Sequence, residues 1–73
     1  MLVFEYTDRP GIIGAVGRIL GDAGVNIGGM QVSRHEDRAI GVLSVDSDVP
    51  AALAAQLSET IDAKTFSVVD LQD

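Results

Sequence analysis

The apolar positions of the chain change their spacing several times, and each change marks an element. Leu2-Val3-Phe4-Glu5-Tyr6 alternates weakly and is rich in β-formers, which predicts a first strand. Thr7-Asp8-Arg9-Pro10-Gly11 ends it, because Pro10 cannot donate to a sheet ladder but suits the first turn of a helix. Ile12, Ile13, Val16, Ile19 and Leu20 then recur at helical spacing, with Gly14, Gly17, Arg18, Gly21 and Asp22 on the opposite side. Gly24 fits the left-handed position that closes such a helix. A second strand starts at Val25-Asn26-Ile27. Its apolar residues are odd-numbered before Gly28-Gly29 and even-numbered after it, at Met30 and Val32. A strand keeps one parity per face, so a bulge or bend is expected at the two glycines.

Arg34-His35-Glu36-Asp37-Arg38 reads as a polar hairpin loop, and Ala39 to Asp46 as a third strand. That strand carries Ile40, Val42, Leu43 and Val45 on both faces, which predicts an interior position in the sheet. Ser47-Asp48-Val49-Pro50 is a helix-start signal, with Asp48 as candidate N-cap. Leu53, Leu57 and Ile61 form the buried stripe of the second helix, with Ala54 filling in. Thr65 to Leu71 is the last strand. The order β-α-β-β-α-β is met most simply by an α+β ferredoxin-like sandwich, a four-stranded antiparallel sheet with both helices on one face. The other face is then bare, and Leu43, Val45, Val69 and Leu71 are expected to lie on it.

Length turns this layout into a question of stability. The 73 residues make one domain, 1–73, and a domain this small is marginal alone. The chain has no cysteine and a single histidine, His35, so disulfides and a Cys- or His-rich metal site are excluded as remedies. Oligomerisation is the remedy left. With 47% hydrophobic against 22% charged residues the chain is globular rather than disordered. A net charge of −6 argues against a nucleic-acid or anionic-membrane surface. No apolar run approaches the roughly 20 residues of a membrane span, and Met1-Leu2-Val3-Phe4 lacks the features of a signal peptide. The expected location is cytoplasmic. Met1 leads straight into the first strand, so the chain reads either as a module of a longer protein or as a free-standing one.

Candidate chemistry gathers at the start of the first helix. The N–H groups of a first turn lack intrahelical partners and carry the positive end of the helix dipole, which suits a carboxylate. Gly11 keeps bulk away from them. Asp8 either pairs with a ligand ammonium or caps the helix. Tyr6 either points its hydroxyl at the same place or packs in the core. Asn26 follows the far end of the helix, about 20 Å away at ~1.5 Å per residue. It either bonds its own backbone or meets the turn of a second copy in a twofold dimer. Gly14, Gly17 and Gly21 each cost roughly 1 kcal/mol of helix propensity, which fits a close approach by a partner helix or by the protein's own sheet.

Tyr6-Thr7-Asp8-Arg9-Pro10-Gly11-Ile12-Ile13-Gly14 and Gly24-Val25-Asn26-Ile27 resemble the ACT domain family. The stretch Gly24 to Arg34, with Val42-Leu43-Ser44-Val45-Asp46 and Val49-Pro50, is most similar to the C-terminal regulatory domains of D-3-phosphoglycerate dehydrogenases. The resemblance covers essentially the whole chain. It implies a βαββαβ module that binds L-serine and exerts feedback on serine synthesis through the catalytic domains of a parent enzyme. It also implies a homodimer, paired side by side into one eight-stranded sheet, with the ligand between the copies. The implied binding set is Tyr6, Asp8, Arg9, Pro10, Gly11 and Ile12 from one copy with Asn26 and Ile27 from the other. Other members carry His and Asn where this chain has Tyr6 and Asp8. No catalytic residue, cofactor or metal is implied, and this chain carries no nucleotide-binding Gly-rich turn for a dehydrogenase reaction.

Three other readings use the same fold. Acylphosphatases place a Gly-rich anion loop and an Arg after the first strand, which Arg9 and Gly11 imitate, but the chain offers no good nucleophile–base pair. An RNA-binding module needs a basic face and stacking aromatics, and only Phe4, Tyr6 and Phe66 are aromatic. A dimerisation module without ligand needs none of Tyr6, Asp8 and Asn26, and their presence together favours sensing. His35 reads as a solvated loop residue, Met30 as core or dimer packing, and Asp46 and Asp48 as turn and cap residues.

Overall fold

Alternation in the first strand sets the two faces of the sheet. In a computed structural model that describes residues 1–69, β1 runs from Leu2 to Thr7. Its Leu2, Phe4 and Tyr6 are buried on one face, while Val3 and Glu5 on the other are only half-buried. The remaining elements are helix α1 (Ile12–Asp22), strands β2 (Ile27–His35) and β3 (Arg38–Val45), helix α2 (Ala51–Ile61) and strand β4 (Thr65–Val68). The sheet order is β2-β3-β1-β4 and every pairing is antiparallel. Both helices bury their stripes, Ile12, Val16 and Leu20 with Leu57 and Ile61, in one cluster with Leu2, Phe4 and Tyr6. This is the ferredoxin-like sandwich expected from the pattern, with β3 interior. Among the described residues, no helix is long and apolar enough to cross a membrane.

The ends of the elements differ from expectation in instructive ways. α1 begins at Ile12 rather than at Pro10, because Gly11 takes the N-cap position with φ at 89°. No side chain caps it, so Asp8 is not a helix cap. α2 likewise has Pro50, not Asp48, at its N-cap, with no side-chain bond. Asp48 stands two residues upstream of that cap. The C-terminus of α1 follows the sequence signal closely. Gly24 has φ of 78°, its N–H donates to Gly21 O at 3.0 Å, and the Val25 N–H donates to Leu20 O at 2.9 Å. That is a Schellman arrangement, and buried Val25 and Leu20 supply its apolar contact. The β2–β3 connection is tighter than predicted: β2 continues to His35 and only Glu36 and Asp37 form the turn.

The register shift lies between Ile27 and Gly29, where the glycines predicted a bulge. As a result Ile27 stands opposite Val45, Met30 opposite Leu43, Val32 opposite Gly41 and Arg34 opposite Ala39. All four side chains share the helix side of the sheet. The helices do not extend over them fully, and Met30 remains 49% exposed.

Two apolar residues expected on the bare face are not there. Leu43 pairs with Leu2 and is buried in the core, and Val45 shares its parity and packs against the same cluster. β3 is apolar at both parities, so its pattern could not say which set faces the helices. The open face instead carries Val3, Glu5, Ile40 and Val42, and Arg38 donates to Glu5 across it at 3.1 Å. Val68 stands opposite Leu2 on the helix side, so alternation puts Val69 on the open face, with the Met1 ammonium donating to its carbonyl at 2.8 Å. Leu71 and the end of the predicted last strand lie outside the described residues.

Candidate functional site

The β1–α1 turn forms one wall of a cleft of about 390 Å³. Tyr6, Asp8, Arg9, Pro10, Gly11 and Ile12, all singled out from sequence, line it together with Ile13, Gly14 and Arg34. The Asp8 N–H donates to Asp37 O at 2.7 Å, which ties the turn to the β2–β3 hairpin. Past Gly11 the first-turn N–H groups of α1 meet no side-chain cap and no acidic residue. They keep their positive character for a ligand.

Tyr6 combines the two roles left open for it. Its ring is core, 1% exposed and 5.7 Å from the Phe4 ring. Its hydroxyl is buried at the cleft with no hydrogen-bond partner among the described residues. Leaving such a group unmade costs roughly 1–3 kcal/mol. Burial and then the Asp8 carboxylate push the phenol above its ordinary pKa, while the Arg34 guanidinium pulls the other way. At neutral pH it is therefore a neutral hydroxyl, able to donate and to accept.

Arg34 is the site residue that sequence reasoning passed over as hairpin. Its Nε lies 3.0 Å from Asp8 Oδ2, an ion pair. The signal that finds it is register: Arg34 stands opposite Ala39, which stands opposite Tyr6. The three form one row on the helix side of the sheet.

Asn26 and Ile27 are at the other end of the sheet. Arg34 is eight positions beyond Asn26 and seven beyond Ile27 along β2, a span of roughly 23–26 Å at ~3.3 Å per residue. Within one chain they do not join the cleft. Asn26 also does not bond its own backbone. Its N–H and its Nδ2 donate to the two carboxylate oxygens of Asp46, at 2.9 and 3.0 Å, and the Asp46 N–H donates back to Asn26 O at 3.1 Å. The Ser47 hydroxyl adds a bond to the same carboxylate. Asp46 is thus a clamp on Asn26 rather than a turn residue. It leaves the amide oxygen and one N–H of Asn26 directed away from the clamp.

The Asn26 hydrogen bonds, backbone first, hold the Asp46 carboxyl below its ordinary pKa of 3.8. A depressed carboxylate contributes stability above its ordinary value and loses that contribution as pH falls through the lowered one. A carbon-detected NMR titration is expected to show the Asp46 midpoint below 3.8, and Asn26→Ala is expected to raise it. Alanine keeps the backbone N–H bond, so an Asp46 midpoint unmoved by that substitution would mean that the Nδ2 bond is absent in solution.

Gly14, Gly17 and Gly21 have open space beside them: a Cβ added at any of the three would meet nothing within 4 Å. The protein's own sheet is therefore not what approaches them. A second cleft, of about 400 Å³, lies between the end of α1 and the start of α2. It offers Asp48 but no cationic side chain, and so cannot hold both ends of a zwitterion. Among the described residues, no group of three or more His, Cys, Asp or Glu could hold a metal ion.

Residues 1–62 match the profile of the ACT domain family. The chain is 40% identical over 72 residues to the D-3-phosphoglycerate dehydrogenase of Mycobacterium tuberculosis, covering 96% of this chain and 14% of that protein. It is 37% identical to the enzyme of the same name from Bacillus subtilis and 36% identical to that of Methanocaldococcus jannaschii, each over 97% of this chain and 14% of the relative. The chain therefore spans about a seventh of the length of these relatives, and the part it matches is their C-terminal regulatory region. Among solved structures it superposes with a TM-score of 0.67 on a protein named for a proposed role as glycine cleavage system transcriptional repressor. That match covers 99% of this chain and 45% of the other at 22% identity, which is a likeness of fold.

Proposed function

Because the chain belongs to the ACT domain family, we propose that residues 1–73 form a regulatory module that binds L-serine at a site completed by a second copy of itself. The observation that carries the reading is the buried Tyr6 hydroxyl without a partner, in a cleft that also holds a carboxylate, a guanidinium and a free helix N-terminus. A polar ligand bearing both charges and a hydroxyl supplies what each of these groups lacks. The ligand carboxylate bonds first-turn N–H groups near Gly11 and Ile12. Asp8 takes the ammonium. Tyr6 and the partner's Asn26 read the hydroxyl, while Arg9, Pro10 and the partner's Ile27 shape the walls.

The second copy follows from the sheet edge. β2 is nine residues long, has no neighbour on its outer side among the described residues, and carries Asn26 before one end and Arg34 near the other. Two β2 strands paired antiparallel about a twofold near Met30 bring the partner's Asn26 beside this chain's Arg34 and cleft. Such pairing continues the sheet to eight strands. It also covers Met30 and Ile27, 49% and 37% exposed in the single chain. Ile13 and Gly14 line the same cleft as Arg34, so the glycine side of α1 turns toward this edge and leaves room for the partner's α1.

Serine bound at the seam stabilises one arrangement of the two copies. In a parent D-3-phosphoglycerate dehydrogenase, in the cytoplasm, that preference reaches the catalytic domains as a population shift and gives feedback on serine synthesis. The open β2 edge by itself favours a second reading, a dimerisation module that binds nothing. Titration calorimetry with L-serine, glycine, L-alanine and phosphate, on chain shown to be dimeric by sedimentation, separates the two. Serine is expected to bind with one equivalent per chain. A folded dimer that gives no heat with millimolar serine leaves only the dimerisation reading.

A further inference from the structure

We infer that Arg34 is the residue that selects for a ligand carboxylate, and that the Asp8–Arg34 pair makes the cleft specific for a zwitterion. The inference rests on the amino-acid reading above and adds to it a residue and a chemical criterion. Arg34 stands in the row Tyr6–Ala39–Arg34 on the helix side of the sheet. Asp8 pairs with it as an ion, Nε to Oδ2 at 3.0 Å. A guanidinium has five N–H donors in a fixed fork, so the Nη groups remain for a second acceptor. Across the cleft is the uncapped N-terminus of α1, with no acidic residue in its first turn. The buried, unpartnered Tyr6 hydroxyl is an independent sign that a polar ligand belongs between these walls. The Arg34 charge is near enough to that hydroxyl to lower its pKa against the effect of burial.

An anion in the cleft is therefore met by helix N–H groups and by a guanidinium already placed there by its ion pair. The contact at Oδ2 leaves Asp8 Oδ1 for an ammonium. One carboxylate and one cation, joined to each other, thus present complementary ends to a ligand with both charges. A ligand with only the ammonium leaves the guanidinium and the helix terminus without an anion. Arg9 also lines the cleft, but it is exposed on the turn and makes no ion pair among the described residues that would orient it.

The test compares L-serine with L-serinamide, which keeps the ammonium and hydroxyl but has no carboxylate. Calorimetry is run on the full chain as wild type, Arg34→Gln and Arg34→Lys, with folding followed by circular dichroism and dimer content by sedimentation. Wild type is expected to prefer serine by roughly 10–100-fold, the range of a charge-assisted bidentate contact. Arg34→Gln is expected to lose most of that preference while its serinamide affinity changes little, and Arg34→Lys to keep part of it. An Arg34→Gln chain that retains the wild-type preference overturns the assignment. So does one that loses serine and serinamide equally, since Arg34 would then act only by positioning Asp8. A wild-type chain that binds neither compound removes the amino-acid reading, and this assignment with it. One that binds both equally removes the assignment alone.

Discussion

Replacing Gly41 with alanine is expected to lower the melting temperature by on the order of 10 °C. Gly41 lies in β3 directly opposite Phe4. A Cβ there would fall 2.7 Å from Phe4 Cζ and 2.8 Å from Cε2. The ring has little freedom to yield. It is fully buried, stacked on Phe66 at 5.4 Å between centroids with 12° between planes, and has the Tyr6 ring on its other flank. Overpacking of this kind costs roughly 1–3 kcal/mol. In a domain of this size each kcal/mol is worth about 4–8 °C. Thermal unfolding followed by circular dichroism checks the value, and adding Phe4→Leu to Gly41→Ala is expected to recover part of it. An unchanged melting temperature in Gly41→Ala would show that the ring can turn aside at no cost. The binding site stands to lose as well, because Tyr6 is next on the same face of the same strand.

The second large effect is one of combination. Asp8→Ala and Asn26→Ala, each as a homodimer, are expected to weaken serine binding by roughly 10–100-fold, the loss of one hydrogen bond to a charged or buried group. A mixed dimer of the two is expected to bind one serine at wild-type affinity. In the proposed geometry each site takes Asp8 from one copy and Asn26 from the other. In the mixed dimer both substitutions therefore fall in one site and neither in the second. If Asp8 and Asn26 of the same chain served one site, each site would be damaged once and no tight site would remain. Co-expression of the two chains with different tags, sequential purification and calorimetry read the stoichiometry directly. A mixed dimer without a tight site would falsify the shared-site geometry while leaving both homodimer results intact.

How much of this was legible in the sequence depends on whether a residue's role is local. Helical spacing from Ile12 to Leu20, the closing Gly24 and the parity change at Gly28-Gly29 are local signals, and each marked what the structure contains. Leu43 and Val45 lie on the other face from the one expected because β3 carries large apolar residues in both alternating sets, Ile40 and Val42 in one and Leu43 and Val45 in the other. Only pairing with Leu2 decides between them. The cap role expected of Asp48, and the one left open for Asp8, are not met for a related reason. Residue type marks a helix start, but Gly11 and Pro50 occupy the cap positions by backbone conformation. In the site, the turn Tyr6 to Gly11 was visible as a motif, and the distance to Asn26 followed from helix length alone. Arg34 and Asp46 were not visible as partners. The first meets Asp8 across an intervening strand, and the second is twenty residues from Asn26.

The unpaired β2 edge has a further consequence, which concerns quantity rather than geometry. A binding site divided between two chains is a trimolecular equilibrium, so its apparent affinity depends on how much chain is present. Diluted below its self-association constant, the module would become insensitive to serine although every residue of the site is intact. Ligand, in turn, would promote assembly. Tethering two modules to a larger oligomer replaces bulk concentration by an effective one, of millimolar order for short linkers. The response then follows serine alone. On this reading the rest of the relatives' length does more than carry the catalytic groups: it holds the two halves of the sensor at constant activity.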